Sequence, residues 1–215
     1  MTDKICKINQ SNPQPDIINK AAEIIKNSGI IVFPTWCLYG LAADAFSPEA
    51  VKKIFKIKNR MADNPLLILV RNKQQVKELV KKIPESAEVL MKHFWPGRLT
   101  LVFEAEDMIL DILTAGTGKI GIRLPEHPVV QALLKQLQNP ITGTSANISN
   151  TEGCSDIDEM DFSIIENTEL TLDAGILKGG NGSTIVDVTT TPVTIIREGE
   201  ISSEEIYRIL NKYLS

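Results

Sequence analysis

The sequence predicts a single α/β domain built on one twisted, mixed β-sheet that is flanked by helices. Amphipathic helical segments alternate with short apolar strands along nearly the whole chain, a pattern typical of layered α/β packing. Several late strands follow each other too closely for helical crossovers, so part of the sheet must be antiparallel. The 215 residues, of which 43% are hydrophobic, suffice for one sizeable core. We therefore expect one domain over residues 1–215.

The first half of the chain begins with a predicted helix over residues 15–28, whose isoleucines and alanines recur at helical spacing before Gly29 ends it. Residues 30–33 form an apolar run typical of a buried strand. Ser47 and Pro48 are predicted to cap and start the next helix. The further elements predicted here are a strand over 66–70, helices over 76–83 and 85–94, and a strand over 99–103.

The second half continues the alternation. A strand predicted over residues 120–124 has its apolar side chains on one face, which places Arg123 on the other face, away from the core, where it needs a partner. The remaining predicted elements are a helix over 128–137, strands over 140–144, 170–173, 183–189 and 193–197, and a helix over 202–214. Residues 150–167 are mostly polar, and we expect an irregular excursion that can close over a site.

Composition excludes several classes of protein. The net charge of −4 and the pI near 5.3 argue against a protein that coats nucleic acid. The three cysteines, Cys6, Cys37 and Cys154, lack metal-binding spacing and cannot all pair, which fits a reducing cytoplasm. No stretch reaches the roughly 18 apolar residues of a membrane helix, and no signal peptide is visible. We expect a soluble, cytoplasmic chain with no membrane partner.

Two short polar strings stand where apolar segments end. Lys58 and Arg60 close the predicted second helix, and Ser145 and Asn147 follow a predicted strand. Together they supply cations, a hydroxyl and an amide, which suit the binding of a polyphosphate and a small acid. A structural interpretation stays open, since a helix dipole favours cations at its C-terminus and Arg123 can serve in a surface ion pair. No Walker loop, nucleophile elbow or histidine metal site is present.

Seven strings occur in the order of a known family. They are PTWCLYGL at 34–41, KNRMADNPL at 58–66, WPG at 95–97, GIRLPEHP at 121–128, SAN at 145–147, STIVD at 183–187 and REG at 197–199. Over residues 15–210 the chain resembles the YrdC-like threonylcarbamoyl-adenylate synthases, in the short form without an added C-terminal domain. The resemblance implies an α/β domain with a concave, basic cleft.

The activity that the resemblance implies is that of a nucleotidyltransferase of transfer RNA processing. Such enzymes condense L-threonine, bicarbonate and ATP into threonylcarbamoyl-adenylate and pyrophosphate. Mg²⁺ is expected with the ATP, and no protein ligands for it are identifiable in the sequence. A separate transferase is expected to pass the threonylcarbamoyl group to the adenosine beside the anticodon of transfer RNA.

The same resemblance implies roles for individual residues. The catalytic cations are expected to be Lys58 and Arg60. The residues expected to contact ATP are Arg60, Asn64, Lys119, Asn147 and Arg197. The residues expected to contact L-threonine are Cys37, Arg123, Ser145 and Ser183. Two positions depart from the family pattern: Cys37 replaces a threonine, and Leu69 stands where many relatives have a histidine. Because a thiol is a poor hydrogen-bond donor, the preference for threonine over serine stays open.

Two alternative functions stay open at this point. A related enzyme of the same fold can carbamoylate and adenylate a different acceptor. A module that binds double-stranded RNA or transfer RNA through a basic concave surface, without catalysis, is the alternative from another class, and steep weakening of RNA binding with salt would indicate it.

Overall fold

Two mixed β-sheets form the centre of the fold, where the sequence predicted one. The computed structural model describes residues 4–214. The first sheet has the strand order β1 (Ile5–Lys7), β9 (Leu170–Asp173), β2 (Ile31–Pro34), β3 (Tyr39–Ala42) and β8 (Thr144–Ser145). The second has the order β11 (Thr194–Arg197), β10 (Thr184–Asp187), β5 (Leu99–Glu104), β6 (Lys119–Arg123), β4 (Ile68–Leu69) and β7 (Ile141–Thr142). The mixed α/β class is confirmed.

Each sheet combines parallel and antiparallel pairs, as the close spacing of the late strands predicted. In the first sheet β9 pairs in parallel with β1 and β2, whereas β2–β3 and β3–β8 are antiparallel. In the second sheet β10 runs parallel to β5 and β4 to β6, and the other pairs are antiparallel. Strands β2 and β3 form a hairpin, so the loop over residues 35–38 is held at the end of the first sheet.

Helices cover the outer faces of the sheets. They are α1 (Pro15–Lys26), α2 (Pro48–Ile57), α3 (Lys73–Leu79), α4 (Glu85–Phe94), α5 (Asp111–Thr114), α6 (Pro128–Lys135), α7 (Phe162–Glu166) and α8 (Ser203–Leu214). The predicted start of α2 is confirmed, since the Ser47 side chain accepts a hydrogen bond from the Ala50 N–H at 3.2 Å. In the described part of the chain, no helix is long and apolar enough to cross a membrane.

Strand β2 is buried on both faces and separates two apolar cores. Ile31 and Phe33 pack into a core with α1 and α6, while Val32 faces the larger core on the other side of the strand. Each fully buried aliphatic side chain of this kind stabilises the fold by about 1.5–3 kcal/mol. The buried first sheet therefore gives the hairpin and β8 a rigid base.

The segment over residues 150–167 differs most from the prediction. It holds a 3₁₀ turn (Ile157–Glu159) and helix α7, where an irregular excursion was expected. Three of its apolar side chains, Ile157, Met160 and Ile164, are buried in the larger core, whereas Phe162 is 55% exposed. The expectation of an irregular excursion is wrong for this part, because three inward-facing side chains suffice to anchor a short segment.

Gly143 marks the place where the chain passes from one sheet to the other. The sequence predicted one strand over residues 140–144, but β7 belongs to the second sheet and β8 to the first. A Cβ atom at Gly143 would lie 2.6 Å from Leu67 Cδ1 and 2.9 Å from Leu69 Cδ2, so a side chain at this crossing would force these leucines to shift. This close approach brings Ser145 to the gap between the sheets.

Candidate active site

A cavity of about 490 Å³ lies between the two sheets. Its volume is in the range of about 300–1,000 Å³ found for small-molecule sites. One wall is the face of β10, β5 and β6, and the other is formed by β3, β8 and the loop over residues 35–38. Thr100, Val102, Gly121 and Ile185 form the middle of the sheet wall, where Val102 pairs with Gly121. This wall has few large side chains, which leaves room for a ligand.

Arg123 ends β6 and points into the cavity. Ile120 and Ile122 of the same strand are fully buried in the core, so the alternation places Arg123 on the opposite face, as predicted. Its Nε is buried without a hydrogen-bond partner, and Arg123 forms no ion pair with any described residue. Burial lowers the pKa of Arg123, yet a guanidinium stays charged in proteins. A buried charge that forms no ion pair is unfavourable, so this position favours an anionic ligand.

Arg60 and Arg197 add two more guanidinium groups to the lining. Arg60 donates to the carbonyl oxygens of Asn64 at 3.1 Å and Pro65 at 2.8 Å. Arg197 donates from Nη2 to the Ser183 carbonyl at 2.7 Å. Burial lowers the pKa of both arginines. The carbonyl contacts fix both groups without neutralising their charge, which leaves them able to hold phosphate oxygens.

Lys58 lies behind the cavity wall and not in its lining. The residue is 1% exposed, and its ammonium donates to the Ser145 carbonyl at 2.6 Å, the Asn147 carbonyl at 2.7 Å and Asn147 Oδ1 at 2.9 Å. The Asn147 side chain also donates to the Thr151 carbonyl at 2.6 Å. We name Lys58, Ser145 and Asn147 the turn network. All three ammonium donors are used in these contacts, and the phosphate contact implied for Lys58 and the ATP contact implied for Asn147 stay predictions.

The charge state of Lys58 is affected by the same burial. Removal of the ammonium from water, with a smaller contribution from the positive charge of Arg60, lowers the pKa of Lys58 to about 7. The turn network therefore contains a lysine that titrates near neutral pH. Its position suits a role in placing Ser145 rather than a contact with the substrate.

Two loops complete the cavity around Arg123. Ser183 exchanges a hydrogen bond of 2.9 Å with Thr100, and it follows a loop in which Gly182 has a φ of 73°, in the left-handed region that glycine favours. In the other loop, the Thr35 hydroxyl donates to the Leu38 carbonyl at 2.7 Å, which holds Cys37 at the cavity. The sequence analysis assigned no role to Thr35 or Thr100, because neither lies in a charged or polar string.

The structure therefore brings most of the predicted site residues together. Those that line the cavity are Cys37, Arg60, Lys119, Arg123, Ser145, Ser183 and Arg197. Asn64 is exposed outside the lining, and its contribution is the carbonyl that holds Arg60. Leu69, at the position where many relatives have a histidine, is fully buried in the core, and Leu67 lines the cavity instead.

An ion pair that the sequence analysis missed lies at one end of the sheet wall. Lys119 Nζ is 2.9 Å from Asp187 Oδ2, and Asp187 Oδ1 accepts hydrogen bonds from the Thr189 N–H at 2.8 Å and hydroxyl at 2.6 Å. Burial opposes ionisation of Asp187, but the hydrogen bonds from Thr189 and Lys119 outweigh it and lower the pKa of the carboxyl group. Among the described residues that line the cavity, Asp187 is the one carboxylate.

Fold and cavity together define a class. This is an α/β protein with a cavity between two mixed sheets, and Arg60, Lys119, Arg123 and Arg197 are the cations of the cavity lining. The sequence model of the Sua5/YciO/YrdC family, which carries the description "Telomere recombination", matches residues 23–199. The chain belongs to this family.

Similar proteins are known from several organisms. The threonylcarbamoyl-AMP synthase of Pyrococcus abyssi is 36% identical over 91% of this chain and 57% of that protein. The enzyme of the same name from Bacillus subtilis is 32% identical over 95% of this chain and 58% of that protein. A crystal structure of P. abyssi Sua5 complexed with L-threonine matches with a TM-score of 0.89 and 34% identity, over 96% of this chain and 60% of the other. The chain thus spans less than two thirds of the length of these relatives.

Proposed function

We propose that this chain is an L-threonylcarbamoyladenylate synthase, which condenses L-threonine, bicarbonate and ATP into threonylcarbamoyl-adenylate and pyrophosphate. Membership of the family, the names of the relatives and the L-threonine in the Sua5 crystal structure support this proposal. The cavity supplies the cations that such a reaction needs.

The observation that carries the proposal is the unpaired guanidinium of Arg123. It lies in a cavity of suitable size, its Nε has no hydrogen-bond partner, and it forms no ion pair with any described residue. A carboxylate matches its planar fork in two parallel hydrogen bonds, and an amino acid supplies that group. The hydroxyls of Ser183 and Thr35, close to the same end of the cavity, are suited to orient the rest of the amino acid.

The chemistry can proceed by positioning and charge stabilisation. The amine of threonine attacks the bicarbonate carbon, water leaves and a carbamate forms. A carbamate oxygen then attacks the α-phosphate of ATP, and pyrophosphate leaves with the bonding electrons. Both steps concentrate negative charge, which Arg60 and Arg197 are placed to stabilise. No protein nucleophile takes part in this scheme, and Lys58 acts by placing Ser145.

Mg²⁺ enters this proposal as part of the substrate. Among the described residues, no group of three or more His, Cys, Asp or Glu side chains is arranged to hold a metal ion. Asp187 is paired with Lys119, so this side chain does not form a metal site by itself. This lining fits a Mg²⁺ ion whose ligands are the ATP phosphates and water molecules, which is a common way in which Mg²⁺ binds.

Binding of a carboxylate can be tested without turnover. Titration calorimetry with an ATP analogue that cannot be cleaved between the α- and β-phosphates should detect binding of L-threonine and at least about tenfold weaker binding of L-threoninamide, which lacks the carboxylate. The affinity for L-serine in the same experiment measures the preference for threonine over serine, which the presence of Cys37 leaves open. Equal binding of threonine and its amide would contradict the assignment of Arg123.

The alternatives from the sequence are less favoured by the geometry. Arg60, Arg123 and Arg197 line a cavity between the sheets, which suits a small molecule better than an RNA surface. An enzyme with a different acceptor stays an alternative that a panel of amino acids distinguishes. Transfer RNA binding, the downstream transferase and a cytoplasmic location stay predictions.

A further inference from the structure

We propose that Asp187 is a specificity-determining residue that accepts a hydrogen bond from a ribose hydroxyl and thereby selects ribonucleotides over deoxynucleotides. The proposal rests on the proposed function, since it assumes that a nucleotide occupies the cavity. It goes further, because it fixes the direction of the nucleotide and assigns a role to a residue that no comparison identifies.

The sign of its charge distinguishes Asp187 from the other charged residues of the cavity lining. Asp187 is the one carboxylate among the described cavity-lining residues, which otherwise include three arginines and a lysine. A carboxylate repels phosphate oxygens, and it favours groups that donate hydrogen bonds. The end of the cavity that holds Asp187 is therefore suited to the nucleoside and not to the triphosphate. Ribose hydroxyls are donors that acidic residues bind in other nucleotide sites.

The spacing of Asp187 and Arg123 across the sheet also supports this role. Asp187 on β10 is level with Val102 on β5 and Gly121 on β6, and Arg123 lies two residues beyond Gly121. Two strand spacings across the sheet and two residues along it separate the Cα atoms of Asp187 and Arg123 by about 12 Å. In threonylcarbamoyl-adenylate, standard bond lengths place the ribose roughly 11 Å from the amino-acid carboxylate. The two lengths are similar, so a product that extends from Arg123 across the sheet wall can reach Asp187 with its ribose.

The Asp187 carboxylate can accept one more hydrogen bond. Asp187 Oδ1 is occupied by two hydrogen bonds from Thr189, whereas Oδ2 has Lys119 as its one partner. A carboxylate oxygen has two lone pairs, so Oδ2 keeps one acceptor position. The Asp187 side chain is 11% exposed and Lys119 is 38% exposed. The pair is therefore fixed in place and still reachable from the cavity.

Apolar side chains beside this pair suit the base. Val102 and Ile185 on the sheet wall and Ile196 on β11 line the same cavity. A flat purine that packs on these groups removes apolar surface from water and leaves the ribose edge towards Asp187. The nucleoside is therefore expected at the end of the cavity with Asp187, and the phosphates at the end with the arginines.

The test compares ATP with 2′-deoxy-ATP and 3′-deoxy-ATP in pyrophosphate release at saturating threonine and bicarbonate. For the wild type, we expect kcat/KM for ATP to exceed that for at least one deoxynucleotide by about tenfold or more, the size of one hydrogen bond to a charged group. In Asp187→Asn this ratio should fall to within about threefold. Glu104→Gln is the matched control, since Glu104 is exposed opposite Lys119 on β5 outside the lining, and it should keep the wild-type ratio.

Binding measurements separate this proposal from the proposed function. Calorimetric titration with AMP and its two deoxy analogues gives the same ratio without turnover. Discrimination in binding together with no pyrophosphate release for any amino acid would contradict the synthase and support the role of Asp187. Equal use of ATP and both deoxynucleotides by the wild type, or an unchanged ratio in folded Asp187→Asn, would overturn the proposal, as would the absence of any nucleotide binding. If Asp187→Asn does not fold, the wild-type ratios decide.

Discussion

The strands of the two sheets fix the directions in which individual side chains of the site point. Arg123 reaches the cavity because Ile120 and Ile122 occupy the core side of the same short strand. This alternation is a local pattern, so the direction of Arg123 was predictable from the sequence. The roles of Lys58 and Asp187 were not, since Lys58 binds Asn147 across 89 positions and Asp187 pairs with Lys119 across 68. Such contacts depend on the tertiary fold.

Arg123→Lys keeps the positive charge and removes the planar fork of the guanidinium. The loss of one of two charged hydrogen bonds should raise the KM for threonine by about 10- to 100-fold, with a smaller effect on kcat. Steady-state kinetics with varied threonine measure this. Arg71→Lys is the control, because Arg71 is exposed and donates to the Leu137 carbonyl away from the cavity, and its kinetics should match the wild type. An unchanged KM in Arg123→Lys contradicts the carboxylate assignment.

At the scale of elements, the end of α2 is joined to the chain after β8 by the turn network. Lys58→Met has nearly the same length and removes three donated hydrogen bonds from buried acceptors. We expect a loss of about 2–3 kcal/mol in the free energy of unfolding, or about 5–10 °C in Tm. Turnover should also fall, since Ser145 loses its support. Lys56→Met, at an exposed position of the same helix, should change both by little, and an equal effect of the two variants contradicts the network.

The lowered pKa of Lys58 makes the free energy of unfolding depend on pH. Its folded-state pKa of about 7 lies below the ordinary value of 10.5, so between these values the unfolded chain binds more protons. The free energy of unfolding therefore decreases as the pH falls from about 10.5 towards 7, because protonation of Lys58 favours the unfolded chain in this range. Urea unfolding should show that the wild type gains stability relative to Lys58→Met from pH 7 to 9, by at most about 1.4 kcal/mol per pH unit. A difference that does not vary with pH contradicts the lowered pKa.

The segment over residues 150–167 tests the packing at the same scale. Ile164 of α7 is fully buried, whereas Ile176 is 76% exposed. Ile164→Ala should lower the free energy of unfolding by about 2–5 kcal/mol, and Ile176→Ala by less than about 0.5 kcal/mol. Chemical denaturation of the two variants measures this difference. Small and similar effects of the two substitutions would show that the segment is not anchored. That result would agree with the irregular excursion expected from composition.

At the scale of the whole molecule, the cavity exists because the chain divides its strands between two sheets. The sequence predicted the mixed α/β class and most helices and strands, because these follow from local periodicity and from caps such as Ser47. It did not predict the second sheet. Residues 140–144 are typical of one continuous strand, and nothing in this segment of sequence marks the change of sheet at Gly143. Strand β3 was also missed, since its residues lie inside a motif that was interpreted for chemistry.

The central claim is that this cavity makes threonylcarbamoyl-adenylate. The most direct measurement is pyrophosphate release from ATP with bicarbonate and Mg²⁺, without amino acid, with L-threonine and with L-serine, together with product mass from the same reactions. The account predicts release that depends on threonine and a product with the mass of threonylcarbamoyl-adenylate. No release with any amino acid, or release that does not depend on one, would contradict it.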